Sequence, residues 1–188
     1  LRYLILVKHS LPEIVPTLTA HQWRLSEKGQ LRCHALAEKL ACYLPGCIIS
    51  SREPKAVETA QIVAGRLGQT FQIIEGLHEH DRSNVEWTSA ERFAAQVDEF
   101  FRYPNRLMMG RETASQARER FTQAVTSVLQ EHPVDTVAIV AHGTVITLFV
   151  AQAVSLEPFS FWRQLGLPSF VVMSLPEMEL VNVEGFGE

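Results

Sequence analysis

The sequence predicts a three-layer α/β/α domain built on a mostly parallel sheet. Three observations predict it. Residues 3–7 and 136–141 lack the alternation of a half-wet strand and read as strands covered on both faces. Strand-like and helix-like segments alternate from the N-terminus onward, the rhythm that places crossover helices over parallel strands. The tail changes character: residues 169–174 and 180–183 flank Pro176-Glu177-Met178 as a hairpin would, so at least one late strand is expected to run antiparallel.

Each element has its own signals. After the first strand, residues 11–24 carry Pro12, Pro16 and several threonines and read as a loop. Ser26 is the expected N-cap of a helix with Leu36, Ala37 and Leu40 on its apolar stripe, ended by Pro45-Gly46. Residues 47–50 form a second buried strand. Ser51 is the expected cap of the next helix, whose first turn tolerates Pro54 because the missing N–H had no partner there, and Gly65 and Gly68 mark its end. A third strand is expected at 71–74. Thr88-x-x-Glu91 and Thr113-x-x-Gln116 read as capping boxes of helices through Phe101 and about Gln130. The last helix expected covers residues 145–153.

Composition narrows the function. A chain of 188 residues, 46% hydrophobic and 20% charged, suits one globular domain, 1–188, with a small cap at about 77–111. A net charge of -4 offers no basic face for nucleic acid or anionic lipid, and no apolar run reaches the length of a membrane span. The apolar N-terminal stretch is too short and too strand-like for a signal peptide. Cys33, Cys42 and Cys47 form no CxxC pair and read as small buried hydrophobes in a reducing cytoplasm. Small molecules are the expected partners.

The chemistry gathers at strand ends. Both buried strands end in a histidine, Lys8-His9-Ser10 and His142-Gly143-Thr144, at the edge where open α/β sheets collect ligands. The junction Ser50-Ser51-Arg52-Glu53-Pro54-Lys55 adds a cation to a first helical turn, where free N–H groups and the dipole already favour an anion. Glu79 follows the third strand. Imidazoles, cations and one carboxyl converging on a helix N-terminus suit phosphate and its transfer.

These residues resemble the histidine phosphatase superfamily, also called phosphoglycerate mutase-like. Its Arg-His-Gly appears as Lys8-His9-Ser10, its Leu-Thr/Ser-Glu-x-Gly as residues 25–29, and its Ser-Ser-x-x-x-Arg-Ala-x-x-Thr-Ala as residues 50–60. Ala141-His142-Gly143 is similar to its second histidine motif, and Gly110-Arg111-Glu112-Thr113 to its Gly-Gly-Glu-Ser. The resemblance implies a phosphoglycerate mutase-like fold and metal-independent hydrolysis of phosphomonoesters without a cofactor. It implies His9 as nucleophile, Glu79 as proton donor, and His142, Lys8 and Lys55 as stabilisers of the transferring phosphoryl group. Ser10, Arg52 and Arg82 are candidates for binding substrate, a small phosphorylated molecule or a phosphoprotein.

Lysine replaces arginine at both cationic positions of the pattern. It keeps the charge but loses two-point gripping of phosphate. At about 1 to 2 kcal/mol each, the pair would cost on the order of a hundredfold in rate. Arg52, one turn before Lys55, is a candidate substitute fork. A degenerate relative that binds phosphorylated ligands without turnover is therefore the second reading. A mutase fits less well, because Leu11-Pro12-Glu13-Ile14 follows Ser10 where mutase-like members carry Glu-Ser-x-Trp-Asn. A metal site of His9, His78, His80 and His142 is the third, with no zinc motif to support it. Trp23, Trp87, Arg82 and Arg106 are rim candidates by residue type alone.

Overall fold

The structure, a computed structural model, describes residues 1–185. Four strands run parallel: β1 (Arg2–Lys8), β2 (Cys47–Ser50), β3 (Gln72–Ile73) and β4 (Val137–Ala141). β5 (Ser169–Leu175) lies antiparallel to β1, and β6 (Leu180–Gly185) antiparallel to β5. The sheet order is β3-β2-β4-β1-β5-β6.

Successive residues of a strand point to opposite faces, and here both faces are covered. Leu4, Leu6, Val137 and Ile139 join one core with α3 (Ala90–Arg102), α4 (Ala114–Glu131), α5 (Gly143–Val154) and α6 (Pro158–Gln164). Ile5, Val7, Ala138 and Val140 join a second core under α1 (Glu27–Ala41) and α2 (Pro54–Arg66). That double covering is why β1 and β4 read as unbroken apolar runs.

Local chemistry explains most boundaries. The Ser26 hydroxyl accepts the Gly29 N–H at the start of α1, and Thr113 and Gln116 complete a reciprocal capping box at α4. α1 stops at Ala41, ahead of Pro45-Gly46. Gly68 takes φ +67 just beyond α2, a left-handed turn that glycine adopts without a Cβ penalty. Two expected caps are displaced. Ser89, not Thr88, caps α3 by accepting from Arg92 N, and Glu53, not Ser51, is the N-cap residue of α2, with Pro54 at its first position. β3 is shorter than expected, two exposed residues on an edge with a single neighbour. α6, capped by Glu157 accepting from Phe159 N and Ser160 N, has no counterpart among the expected elements. The three cysteines are free thiols, and Cys42 is exposed rather than buried.

The connectivity creates the crevice. From β1 the chain passes through α1 to β2, on the far side of β4; from β4 it passes through α5 and α6 to β5, on the far side of β1. The chain thus leaves this adjacent pair in opposite directions, and a gap opens beyond their carboxyl ends, where Lys8 lies beside Ala141.

Residues 82–110 leave and return at one place. Arg111 N donates to the Asp81 carbonyl at 2.8 Å, Asp81 N donates to Glu112 Oε1 at 2.9 Å, and a Cβ on Gly110 would stand 2.2 Å from that same carbonyl oxygen. Between these ends, Val97, Phe100 and Phe101 of α3 pack into the core that holds Phe121 of α4. Among the described residues no helix is long and apolar enough to cross a membrane.

Candidate active site

The parallel register of β1 and β4 places the two strand-end histidines side by side, with ring centroids 5.2 Å apart. His9 is held from both ends: its N–H donates to the Ala141 carbonyl at 3.0 Å, and its Nδ1 lies 2.7 Å from the Ser10 carbonyl. A carbonyl oxygen can only accept, so Nδ1 carries the hydrogen and Nε2 keeps its lone pair. Burial, reinforced by the charge of Lys55 and by His142, holds the His9 pKa well below its ordinary value. The ring is therefore neutral at neutral pH, with a nucleophilic nitrogen.

His142, fully buried, is the N-cap residue of α5. Its Nε2 lies 2.8 Å from the Ser51 hydroxyl and 3.7 Å from Glu53 Oε1. Burial, then Lys55, hold its pKa well below the ordinary value as well.

Glu79 occupies the N-terminus of α5. Its Oε2 accepts the Thr144 N–H at 3.1 Å, and its Oε1 accepts the Val145 and His80 N–H groups at 3.2 and 2.9 Å. Burial pushes this carboxyl up, but Arg82 and the surrounding donors outweigh it and leave it below the usual carboxylate range. The main chain beneath it is clamped from α4: Arg120 donates to the carbonyls of Gly76, His78 and Glu79 and pairs with Glu112.

The cations are all engaged. Lys55 Nζ donates to Glu53 Oε2 and to the Ala20 carbonyl, each at 2.6 Å. Lys8 Nζ donates to the Leu165 carbonyl at 2.6 Å, and burial, opposed by Glu79, lowers its pKa to about 8. Arg82 lies over the Phe93 ring at 4.6 Å with Nη2 3.9 Å from Glu79, while its buried Nη1 has no hydrogen-bond partner among the described residues.

The structure therefore brings together His9, His142, Glu79, Lys8, Lys55 and Arg82. Ser10 and Arg52 are turned elsewhere. The Ser10 hydroxyl donates to the Gly29 carbonyl at 2.7 Å, and its N–H donates to Thr59 Oγ1, so this side chain anchors the loop to α1 and α2. Arg52 pairs at the surface with Glu75 at 3.0 Å and takes no place beside Lys55 as a substitute fork. Among the rim candidates, Trp23 Nε1 donates to the Val15 carbonyl and Arg106 lies over the Tyr103 ring. The residues that sequence reasoning missed are Glu53 and Ser51, and His80, considered there only as a metal ligand, lies beside Glu53 in the site. All three are buried, and the only sequence signal for the first two was their place in the strand-to-helix junction before Lys55.

A cavity of about 20 Å³ is lined by Ala20, His21, Glu53, Lys55, Glu79, His80 and Arg82. That is room for about one water molecule. A larger cavity of about 600 Å³ lies among residues 84–88, α3 and residues 107–110, with Trp87, Arg92 and Gln96 in its wall. It shares no lining residue with the smaller one, and its wall lacks the imidazoles and buried cations described above. His80 Nε2 donates to the Glu112 carbonyl, and among the described residues no group of three or more His, Cys, Asp or Glu side chains is arranged to hold a metal ion.

Residues 17–180 match the model of the histidine phosphatase superfamily (branch 1), a span that starts after Lys8 and His9. No curated protein matches the sequence. Among solved structures, a mycobacterial glucosyl-3-phosphoglycerate phosphatase superposes with a TM-score of 0.72 at 22% identity, covering 91% of this chain and 89% of its own. A phosphoserine phosphatase from Entamoeba histolytica, solved with 3-phosphoglyceric acid, reaches 0.76 at 20% identity over 100% and 98% of the two chains. Bacillus stearothermophilus YhfR reaches 0.76 at 22% identity over the same shares. At these identities the likeness is one of fold.

Proposed function

The chain belongs to the histidine phosphatase superfamily (branch 1), and from that premise we propose that it hydrolyses phosphomonoesters of small molecules, without a metal, through a phosphohistidine at His9. The observation that carries the proposal is the neutral His9 ring, with Nδ1–H committed to the Ser10 carbonyl and Nε2 left as a nucleophile beside His142 and Lys55.

In the first step Nε2 attacks phosphorus in line, the N–P bond forms as the ester O–P bond breaks, and the leaving alkoxide takes a proton from Glu79. Glu79 is ionised at neutral pH, so this proton arrives with substrate: a phosphate group beside the carboxylate raises its pKa, and a monoanionic ester brings the hydrogen with it. In the second step water attacks phosphorus, Glu79 accepts the water proton, and the N–P bond breaks to restore His9. Lys8, Lys55 and His142 stabilise the equatorial oxygens. Arg82 supplies the fork that the two lysines lack, since its Nη1 has no other partner among the described residues.

The test is turnover of an aryl phosphate in excess chelator, with phosphoenzyme trapped by alkaline quench. Chelator-resistant turnover with a trapped intermediate is expected. Loss of activity in chelator, or turnover with no intermediate, overturns the mechanism. The engagement of Lys55 by Glu53 and of Lys8 by Leu165 favours a second reading, a phosphate-ligand binder without turnover. Its mark is saturable phosphate binding with no phosphoenzyme.

The buried Lys8 also predicts a pH profile. Its pKa is lowered to about 8, so above that pH the ammonium loses the charge that phosphate needs. The kcat/KM value, which reports the free enzyme, is expected to fall about tenfold per pH unit above this point. Lys8→Arg, whose guanidinium stays charged, should remove the limb; a limb unchanged in that variant assigns it to another group.

A further inference from the structure

We infer that Glu53 is an internal counter-anion that pairs with Lys55 in competition with phosphate and sets how tightly the site takes it. The inference rests on the proposed phosphate site and names a specificity-determining residue within it.

Glu53 is a carboxylate where an anion is meant to bind. It stands at the N-cap position of α2 yet makes no capping bond with its side chain, so capping does not explain its burial. Its two oxygens turn inward instead. Oε2 accepts from Lys55 Nζ at 2.6 Å, and Oε1 accepts from Glu79 N at 2.8 Å and lies 3.7 Å from His142 Nε2. The Lys55 and Glu53 side chains are 6% and 7% exposed. A buried ion pair contributes little net stability, because stripping water from both charges offsets their attraction. This pair is better explained by what Lys55 does once it is released.

The charges facing the cavity support this. Lys55 and Arg82 line it together with Glu53 and Glu79, beside His21 and His80, so two cations already face two carboxylates before any ligand arrives. Glu53 and Lys55 also line the cavity that is too small for more than a water. For phosphate to enter, the Lys55–Glu53 pair must open and Lys55 must exchange one anion for another. Phosphate binding is thus a competition that Glu53 is built to enter.

Glu53→Gln separates this role from a structural one. Its Oε1 still accepts from Glu79 N, while its amide offers Lys55 no carboxylate. Titration calorimetry with inorganic phosphate on the full chain is expected to show binding at least tenfold tighter in the variant than in the parent. A purely structural role cannot tighten binding. Thermal melting checks the fold, and Glu53→Leu, which also removes the charge, takes its place if the Gln variant does not melt cooperatively. A parent that binds phosphate and forms phosphoenzyme, beside a variant that binds equally or more weakly, overturns the inference and leaves the proposed function standing. No phosphate binding by either protein overturns the inference, and the absence of phosphoenzyme from aryl phosphate as well overturns both. Binding gained only on removal of the charge supports the inference.

Discussion

His9→Ala is expected to lose aryl phosphate turnover by on the order of 10⁴-fold or more, and to yield no phosphoenzyme when quenched in alkali. The parent should retain label that is stable in base and released in acid, the behaviour of a phosphorus–nitrogen bond. The geometry adds a finer expectation. Nδ1–H is held by the Ser10 carbonyl at 2.7 Å, so phosphorus NMR of the trapped protein should find the group on Nε2. Removing the ring leaves that carbonyl without its donor and opens space in a buried site, so melting must be checked beside activity. Label persisting in a folded His9→Ala protein, or found on another histidine, would sink the assignment.

Glu79→Gln is expected to lower kcat by about 10² to 10⁴-fold for alkyl phosphates and by far less for nitrophenyl phosphate. The contrast follows from the role. An alkoxide cannot leave without a proton, whereas a nitrophenolate can, so only the poorer leaving group exposes the missing acid. Glutamine keeps the acceptor for Val145 N and His80 N but not the one for Thr144 N, so the loop should stay in place. Equal losses for both substrates would mean that Glu79 acts by holding the loop and not by moving a proton.

What was legible in the sequence follows from how local each cause is. β1 and β4 were readable because covering on both faces makes every residue apolar, and their terminal histidines stand out against that background. Ser26 and Thr113 were readable because their partners lie three residues away. At Ser50-Ser51-Arg52-Glu53 and at Thr88-Ser89 several residues can cap, and packing elsewhere decides. The directions of Ser10 and Arg52 were hidden for the same reason, since their partners are Gly29, on another element, and Glu75, beyond α2. Glu53 was the largest omission. An acid at a helix start reads as solvated, and only the approach of Lys55, Glu79 and His142 shows otherwise.

The bonds around Asp81, Gly110, Arg111 and Glu112 have a consequence for how such a protein can diversify. They draw the two ends of residues 82–110 together, while α3 between them is anchored in the core through Val97, Phe100 and Phe101. Lengthening a loop whose ends are already held adds only about 0.6 kcal/mol per doubling. The loops on either side of α3 can therefore lengthen while both histidines, just beyond the ends of β1 and β4, keep their places. Growth is thus cheapest in the two loops that flank α3, away from Arg82 and from the α3 side chains that the core holds.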